Sequence, residues 1–431
     1  MSMKPAAYLA AGVVVGAGLC ALAAHGAVET NAYGQLDLFS TAFAKVRAEY
    51  VDPVPDDKLV SAAIQGMVSG LDPHSAYMDA KSFGGDFQVR TQGHFGGVGI
   101  EVSPDNGVIR VISAMDGMPA AAAGIKPDDR ITAINGAQVA DHDFNESIDK
   151  MRGVVGTKVV LTIERAGEKK PFDVTLARAN VPFEAVVHRR EGDIGYVRLP
   201  GFNEQTADGM EKAVRELKKE IGPGIRGYVL DLRNNPGGLL DQAIQVSDDF
   251  LNAGEIVSTR GRHAEDTQRF DAKSGDITDG KPVVVLINAG TASASEIVSG
   301  ALQDHRRATI IGMTSFGKGS VQTILPLGDG RGALRLTTAR YYTPSGHSIQ
   351  AQGIIPDIQV AQGDEVPKSE RYSEADLQGH LAGEPIAGSR LDAPVIYAAP
   401  GKKYDDFQLA YALDLLRGKE TVASVTKSNP G

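Results

Sequence analysis

The sequence predicts an α/β protein: a mostly parallel βα core, a small β-rich domain ahead of it, and an N-terminal helical region. Three observations carry this. From about residue 181 on, short apolar β-branched runs alternate with amphipathic segments of helix length, the pattern of a parallel sheet covered by helices. Residues 93–180 carry instead short strands, glycine-rich turns and two brief helical stretches. Residues 33–69 place Leu36, Phe39, Phe43, Val46, Tyr50, Leu59, Ile64 and Met67 at helical spacing, with Pro53 and Pro55 separating two helices whose expected role is packing or dimerisation.

The N-terminus comes first. Lys4 precedes an apolar run over residues 6–24, followed by His25-Gly26-Ala27. That is an export signal with a small-residue end, or a single membrane anchor, so a periplasmic or exported location is expected, free or tethered by residues 6–24. The only cysteine, Cys20, lies in this run, and Leu19 before it suits lipoprotein processing poorly. The rest of the chain therefore has no disulfide, no cysteine nucleophile and no cysteine-based metal site. The 431 residues are 42% hydrophobic, enough for two or three domains with cores of their own. Lys and Arg total 44 against 54 Asp and Glu, giving 44 − 54 = −10, and there is no basic block, so nucleic acid is not an expected partner. The division read from these signals is 1–27 signal or anchor, 28–90 helical region, 91–180 β-rich domain, 181–360 core and 361–431 C-terminal region, where Phe407–Leu416 reads as an amphipathic helix, possible dimer contact.

Leu71-Asp72-Pro73-His74-Ser75 is a turn. His74 reads as a turn residue, since no second ligand stands at metal spacing; no metal or cofactor is called for. Phe95-Gly96-Gly97-Val98-Gly99-Ile100 is a glycine-rich loop running into a strand. Such a loop frees successive backbone N–H groups for a peptide carboxylate while the peptide adds to the sheet edge. Phosphate binding, the rival for such a loop, lacks a Gly-Lys-Ser/Thr and a following helix here. Strands follow at 107–112, 130–134 and 158–165, with helices at 119–124 and 144–152. With Met118-Pro119-Ala120 through Ile131 and Ile134-Asn135-Gly136, this order resembles a PDZ domain, though Asp128 stands where glycine is commoner. The resemblance implies that Gly97, Val98, Gly99 and Ile100 hold a protein C-terminus.

In the core, strands are expected at 194–199, 227–232, 283–287 and 309–311, with helices at 205–221, 240–250 and from Ser293. The turn Asn288-Ala289-Gly290-Thr291-Ala292-Ser293 is a sharp strand-to-helix bend that exposes a serine hydroxyl at a helix mouth. Ser293 through Glu296 is equally a capping box, so cap and nucleophile both stand at this point. A nucleophilic serine needs a base. His305 is twelve residues along the same helix, about 18 Å away at ~1.5 Å per residue, which excludes it. His188, His263 and His347 have no identifiable acidic partner. Lys318, between Gly317 and Gly319, is the better base: burial against groups such as Phe316 would leave its amine neutral. Gln322, four residues on in an expected strand, would share its face and orient it. Oxyanion donors are expected from the Ala294 amide and from Gly237 or Gly238 in the Pro-Gly-Gly turn.

These segments resemble the carboxyl-terminal processing peptidases, also called tail-specific proteases. The matching stretches are 71–78, the PDZ-like block, 231–238, 288–296, 317–322 and 340–357, in the family's order across about residues 35–360. The Ser–Lys separation, 318 − 293 = 25, is that of the family. The resemblance implies a crotonase/Clp-protease-like core with an inserted PDZ domain, Ser293 as nucleophile, Lys318 as general base and Gln322 as its orienter. It also implies homo-oligomers and, in some members, an adaptor protein. Thr291 stands where the family has Ser, and His347 where Arg or Lys is commoner. A trypsin-like PDZ protease would need a Gly-Asn-Ser-Gly-Gly segment and a PDZ domain after the core. An inactive PDZ scaffold would be expected to lack Ser293 or Lys318, and a crotonase-like acyl-CoA enzyme would not be exported.

Overall fold

The computed structural model describes residues 32–83, 91, 93–105, 107–115, 117–141, 144–182, 185–362, 373–384, 394–399, 402–419 and 426–427. The apolar run at 6–24 and Cys20 lie outside them. Among the described residues no helix is long and apolar enough to cross a membrane. The chain divides after Ser69 into two units. In the first, residues 32–49 and Asp56–Ser69 are helical, one on each side of the proline-containing break.

The second unit is built on a six-stranded sheet laid out in chain order: Val187–Glu191, Ile194–Arg198, Gly227–Asp231, Val283–Ile287, Ala308–Gly312 and Ile358–Gln359. The first pair is antiparallel and every later pair parallel. Val283–Ile287 is buried at all five positions because both faces of the sheet are covered. Val283, Val285 and Ile287 face the helices Thr206–Ile221, Leu240–Asp248 and Ala294–Asp304. Val284 and Leu286 face the other way, onto Phe407, Leu409 and Ala412. The helix Phe407–Leu416 thus packs Phe407, Leu409 and Ala412 into this chain's own core. Asp406 caps it, accepting from Leu409 N–H at 2.9 Å, and also pairs with buried Arg233 at 2.6 Å.

Parallel strands put the following loops at one sheet edge. Residues 232–238, 288–293 and 313–319 leave the C-terminal ends of three neighbouring strands, so the Pro-Gly-Gly turn, the serine bend and the lysine loop are brought to one place. A second sheet, with Ala76–Met78, Glu255–Gly261, Gln268–Asp271, Ser320–Pro326 and Ala333–Tyr342, flanks the lysine loop.

The β-rich domain has its own core of Ile109, Val111, Ile131, Val159, Leu161 and Ile163. Its strands run in the order Ile100–Asp105, Val108–Ala114, Arg130–Ile134, Lys158–Glu164 and Phe172–Ala177. Ile100–Asp105 is therefore an edge strand, directly after the glycine loop, with its outer side unpaired among the described strands. The carbonyls of Val98 and Gly99 are taken by the Ala120 and Met115 amides, at 3.0 and 2.9 Å.

Candidate active site

Ser293 has φ 55° and ψ −115°, a left-handed backbone that L-residues avoid. It is 9% exposed. The strain is held in place by the turn: Asn288 N–H donates to Thr291 Oγ1 at 3.0 Å, and Thr291 Oγ1 donates to Leu232 O at 2.8 Å. The capping box is present, and Ser293 N–H donates to Glu296 Oε2 at 2.7 Å.

Glu296 does much more than cap. Its fully buried carboxylate also accepts from Gly317 N–H at 2.7 Å, Lys318 N–H at 2.9 Å and Ser315 Oγ–H at 2.5 Å. One carboxylate therefore binds the backbone amides of both Ser293 and Lys318. Burial pushes its carboxyl up to about 7, against the pull of these four donors. Sequence pattern gives only its place in the capping box; the bonds to residues nineteen and more positions away leave no local trace.

Lys318 lies in the loop rather than in a strand. The strand starts at Ser320, and its register shifts between Val321 and Gln322, so the shared-face argument for Lys318 and Gln322 does not hold. Burial lowers the Lys318 pKa, and the charge of Arg335 adds to this, while Glu374, Glu296 and Asp72 act to raise it. The amine makes no hydrogen bond among the described residues, to Ser293 or to Gln322. Resting catalytic contacts often tighten only with substrate bound. Gln322 instead donates through Nε2 to Ser320 Oγ at 2.9 Å and Thr337 Oγ1 at 3.2 Å. Gly319 meets the backbone of Gln350 so closely that a Cβ there has no room.

Gly237 packs against the serine. A Cβ on it would stand 2.8 Å from Ser293 Cβ and 2.9 Å from Ala294 N, and its φ is +96°. Its amide, however, is committed to Asn235 Oδ1 at 2.9 Å. Asn235, which sequence reading passed over, ties the turn together: Nδ2 donates to Leu199 O at 2.7 Å, and its carbonyl accepts from Ala292 N–H at 2.9 Å and Ser295 Oγ at 3.1 Å. Its signal was only that it sits two residues before the glycines. His74 is not a bystander either. Its Nε2 meets Glu374 Oε2 at 2.8 Å beside the lysine loop. His347 hydrogen-bonds Ser345 Oγ at 3.1 Å, within its own turn, and His305 meets Glu255 O at 2.7 Å, away from the serine. Among the described residues no cluster of His, Cys, Asp or Glu could hold a metal.

One carboxylate thus ties the strained serine at the mouth of a helix to the buried lysine loop at the edge of a parallel βα core. Comparison with known proteins gives the class. The peptidase family S41 model matches residues 193–360, a PDZ-domain model residues 96–176, and a model of the activating protease CtpB N-terminal domain residues 20–82. A carboxy-terminal-processing protease of Bartonella bacilliformis is 52% identical over 429 residues, covering 97% of this chain and 96% of that protein. The carboxy-terminal processing proteases CtpA and CtpB of Bacillus subtilis are 38% and 37% identical, each covering 76% of this chain and 69% and 68% of their own lengths. The chain belongs to the carboxy-terminal processing proteases of peptidase family S41, and it carries their PDZ domain.

Proposed function

We propose that this protease is a serine endopeptidase that holds a protein's C-terminus in its PDZ domain and cuts near that end with a Ser293–Lys318 dyad. The observation that carries the reading is the Glu296 carboxylate, which holds the Ser293 and Lys318 amides at 2.7 and 2.9 Å. Neutral Lys318 takes the Ser293 proton as Oγ attacks the scissile carbonyl carbon. The resulting oxyanion rests on the Ala294 and Gly238 amides; Gly237, its own amide engaged, supplies close approach instead. Protonated Lys318 gives its proton to the leaving amine. Water, deprotonated by Lys318, then hydrolyses the acyl-enzyme and frees Ser293. Gln322 orients the lysine amine. The apolar run at 6–24 supports export of the chain, free or tethered.

Capture follows from the edge strand. A substrate adds alongside Ile100–Asp105, and its terminal carboxylate sits on the amides of the Gly97, Val98, Gly99 and Ile100 loop. An unstructured substrate with an apolar C-terminus is expected to be cleaved about tenfold or more faster than its C-terminally amidated twin, the scale of one charge-assisted contact. Equal rates for the two would remove the carboxylate from the account.

A further inference from the structure

The turn at 71–78 lies far from the core in sequence and beside Lys318 in space. Ala76–Met78 pairs with Ala333–Tyr342, with Ala76 opposite Arg335. Three threads run from this turn to the lysine loop. Asp72 Oδ1 accepts from the Thr337 hydroxyl at 3.0 Å, and Thr337 Oγ1 accepts from Gln322 Nε2 at 3.2 Å. The His74 ring meets Glu374 at 2.8 Å; Glu374 Oε1 accepts from Gln350 Nε2 at 3.0 Å, and Gln350 Oε1 accepts from Gly319 N–H at 3.1 Å. The His74 carbonyl accepts from Arg335 Nε at 2.8 Å, and Arg335 is the charge that helps depress Lys318.

The polarity of the first thread decides how Gln322 stands. Asp72 is an acceptor for four donors: the His74 and Ser75 amides, each at 2.9 Å, the Ser75 hydroxyl at 2.6 Å and the Thr337 hydroxyl. Burial acts to raise its carboxyl, yet these donors hold it below the ordinary range, so it stays ionised. A threonine hydroxyl has one proton, and Asp72 takes it. Toward Gln322, Thr337 can then only accept. Gln322 must present its NH2 to Thr337 and Ser320, which leaves its carbonyl oxygen as the free end.

We propose that Asp72, acting through Thr337, is a positioning residue that sets the Gln322 amide so that its carbonyl oxygen receives an N–H of Lys318. The proposal rests on the Ser293–Lys318 reading above. Without the thread the amide keeps only the Ser320 hydroxyl, which can donate as well as accept and so does not fix which end of the amide faces the lysine.

Steady-state cleavage by Thr337→Val, which removes the hydroxyl and keeps the shape, is the test. Its kcat is expected to fall roughly tenfold with KM unchanged, the scale of one hydrogen bond lost in the transition state. Thr337→Ser, which keeps the hydroxyl, should restore kcat. In a Gln322→Ala background Thr337→Val should cost nothing more, because Thr337 acts only through Gln322. Asp72→Ala gives the same reading should Thr337→Val fold poorly: a kcat loss that Gln322→Ala absorbs supports the thread. Wild-type kcat in Thr337→Val, or a loss that adds in full to that of Gln322→Ala, overturns it. Lys318→Ala separates the two levels. An active Lys318→Ala defeats the dyad and this proposal together, whereas an inactive one beside an unaffected Thr337→Val defeats this proposal alone.

Discussion

Lys318→Ala is expected to lower kcat on an unstructured protein substrate by at least about a thousandfold while the variant stays folded, the scale for loss of a general base that serves a nucleophile. Ser293→Ala should lose as much, and the double variant little more, because the two residues act as one unit. Lys318→Arg should not rescue, since a guanidinium cannot give up its proton in this range. The pH dependence follows from the direction of the lysine shift. Burial and Arg335 disfavour the ammonium form, so Lys318 sheds its proton at a pH below the ordinary lysine range. The base works when neutral, so kcat rises with pH through this lowered pKa and levels off before an ordinary lysine would titrate. Turnover of Lys318→Ala within tenfold of wild type would contradict the assignment.

Glu296→Gln is the second large effect. The carboxylate is fully buried and faces three backbone N–H groups and the Ser315 hydroxyl. Glutamine offers one oxygen and turns an NH2 against the remaining N–H groups, so both bonds and packing suffer. A loss of about 2–4 kcal/mol of stability is expected in urea unfolding, the cost of leaving buried donors unpaired. A fall in kcat of about a hundredfold should accompany it, since the serine and lysine loops are no longer held as one piece. The wild-type carboxyl is pushed up to about 7, so below that pH it takes up a proton and the clamp weakens. Its ionisation and the loss of the Lys318 proton both favour activity as pH rises. The acid limb of wild-type kcat should therefore be steeper than the limb of Glu296→Gln. Unchanged stability and turnover in Glu296→Gln would remove the clamp from the account.

The parts of the fold written in local pattern were readable in advance. The apolar run Val283–Ile287 is buried on both faces, and the helix expected from Ser293 runs over Ala294–Asp304 with Ser293 as its cap. The Pro-Gly-Gly turn, too, lies against that serine. What escaped reading depends on contacts between distant segments. Glu296 is a helix-cap residue by pattern, and only the fold brings Ser315, Gly317 and Lys318 onto it. His74 and Glu374 are 300 residues apart, and Asp72 and Thr337 are 265 apart; no periodicity records such pairs. The Lys318–Gln322 shared-face relation failed for a local reason: the strand starts only at Ser320, after the lysine, and shifts register between Val321 and Gln322. Phe407–Leu416 was readable as an amphipathic helix, but not the burial of its polar Gln408, which bonds Val360 O at 2.8 Å and Arg233 at 3.0 Å.

The most direct measurement of the central claim is mass spectrometry of the protein after treatment with a fluorophosphonate, which phosphonylates an activated serine. The account predicts a single adduct on Ser293 in the wild type, formed faster as pH rises through the lowered lysine pKa, and almost none in Lys318→Ala. Labelling of Ser293 at the wild-type rate in Lys318→Ala, or an adduct on another serine, would contradict it.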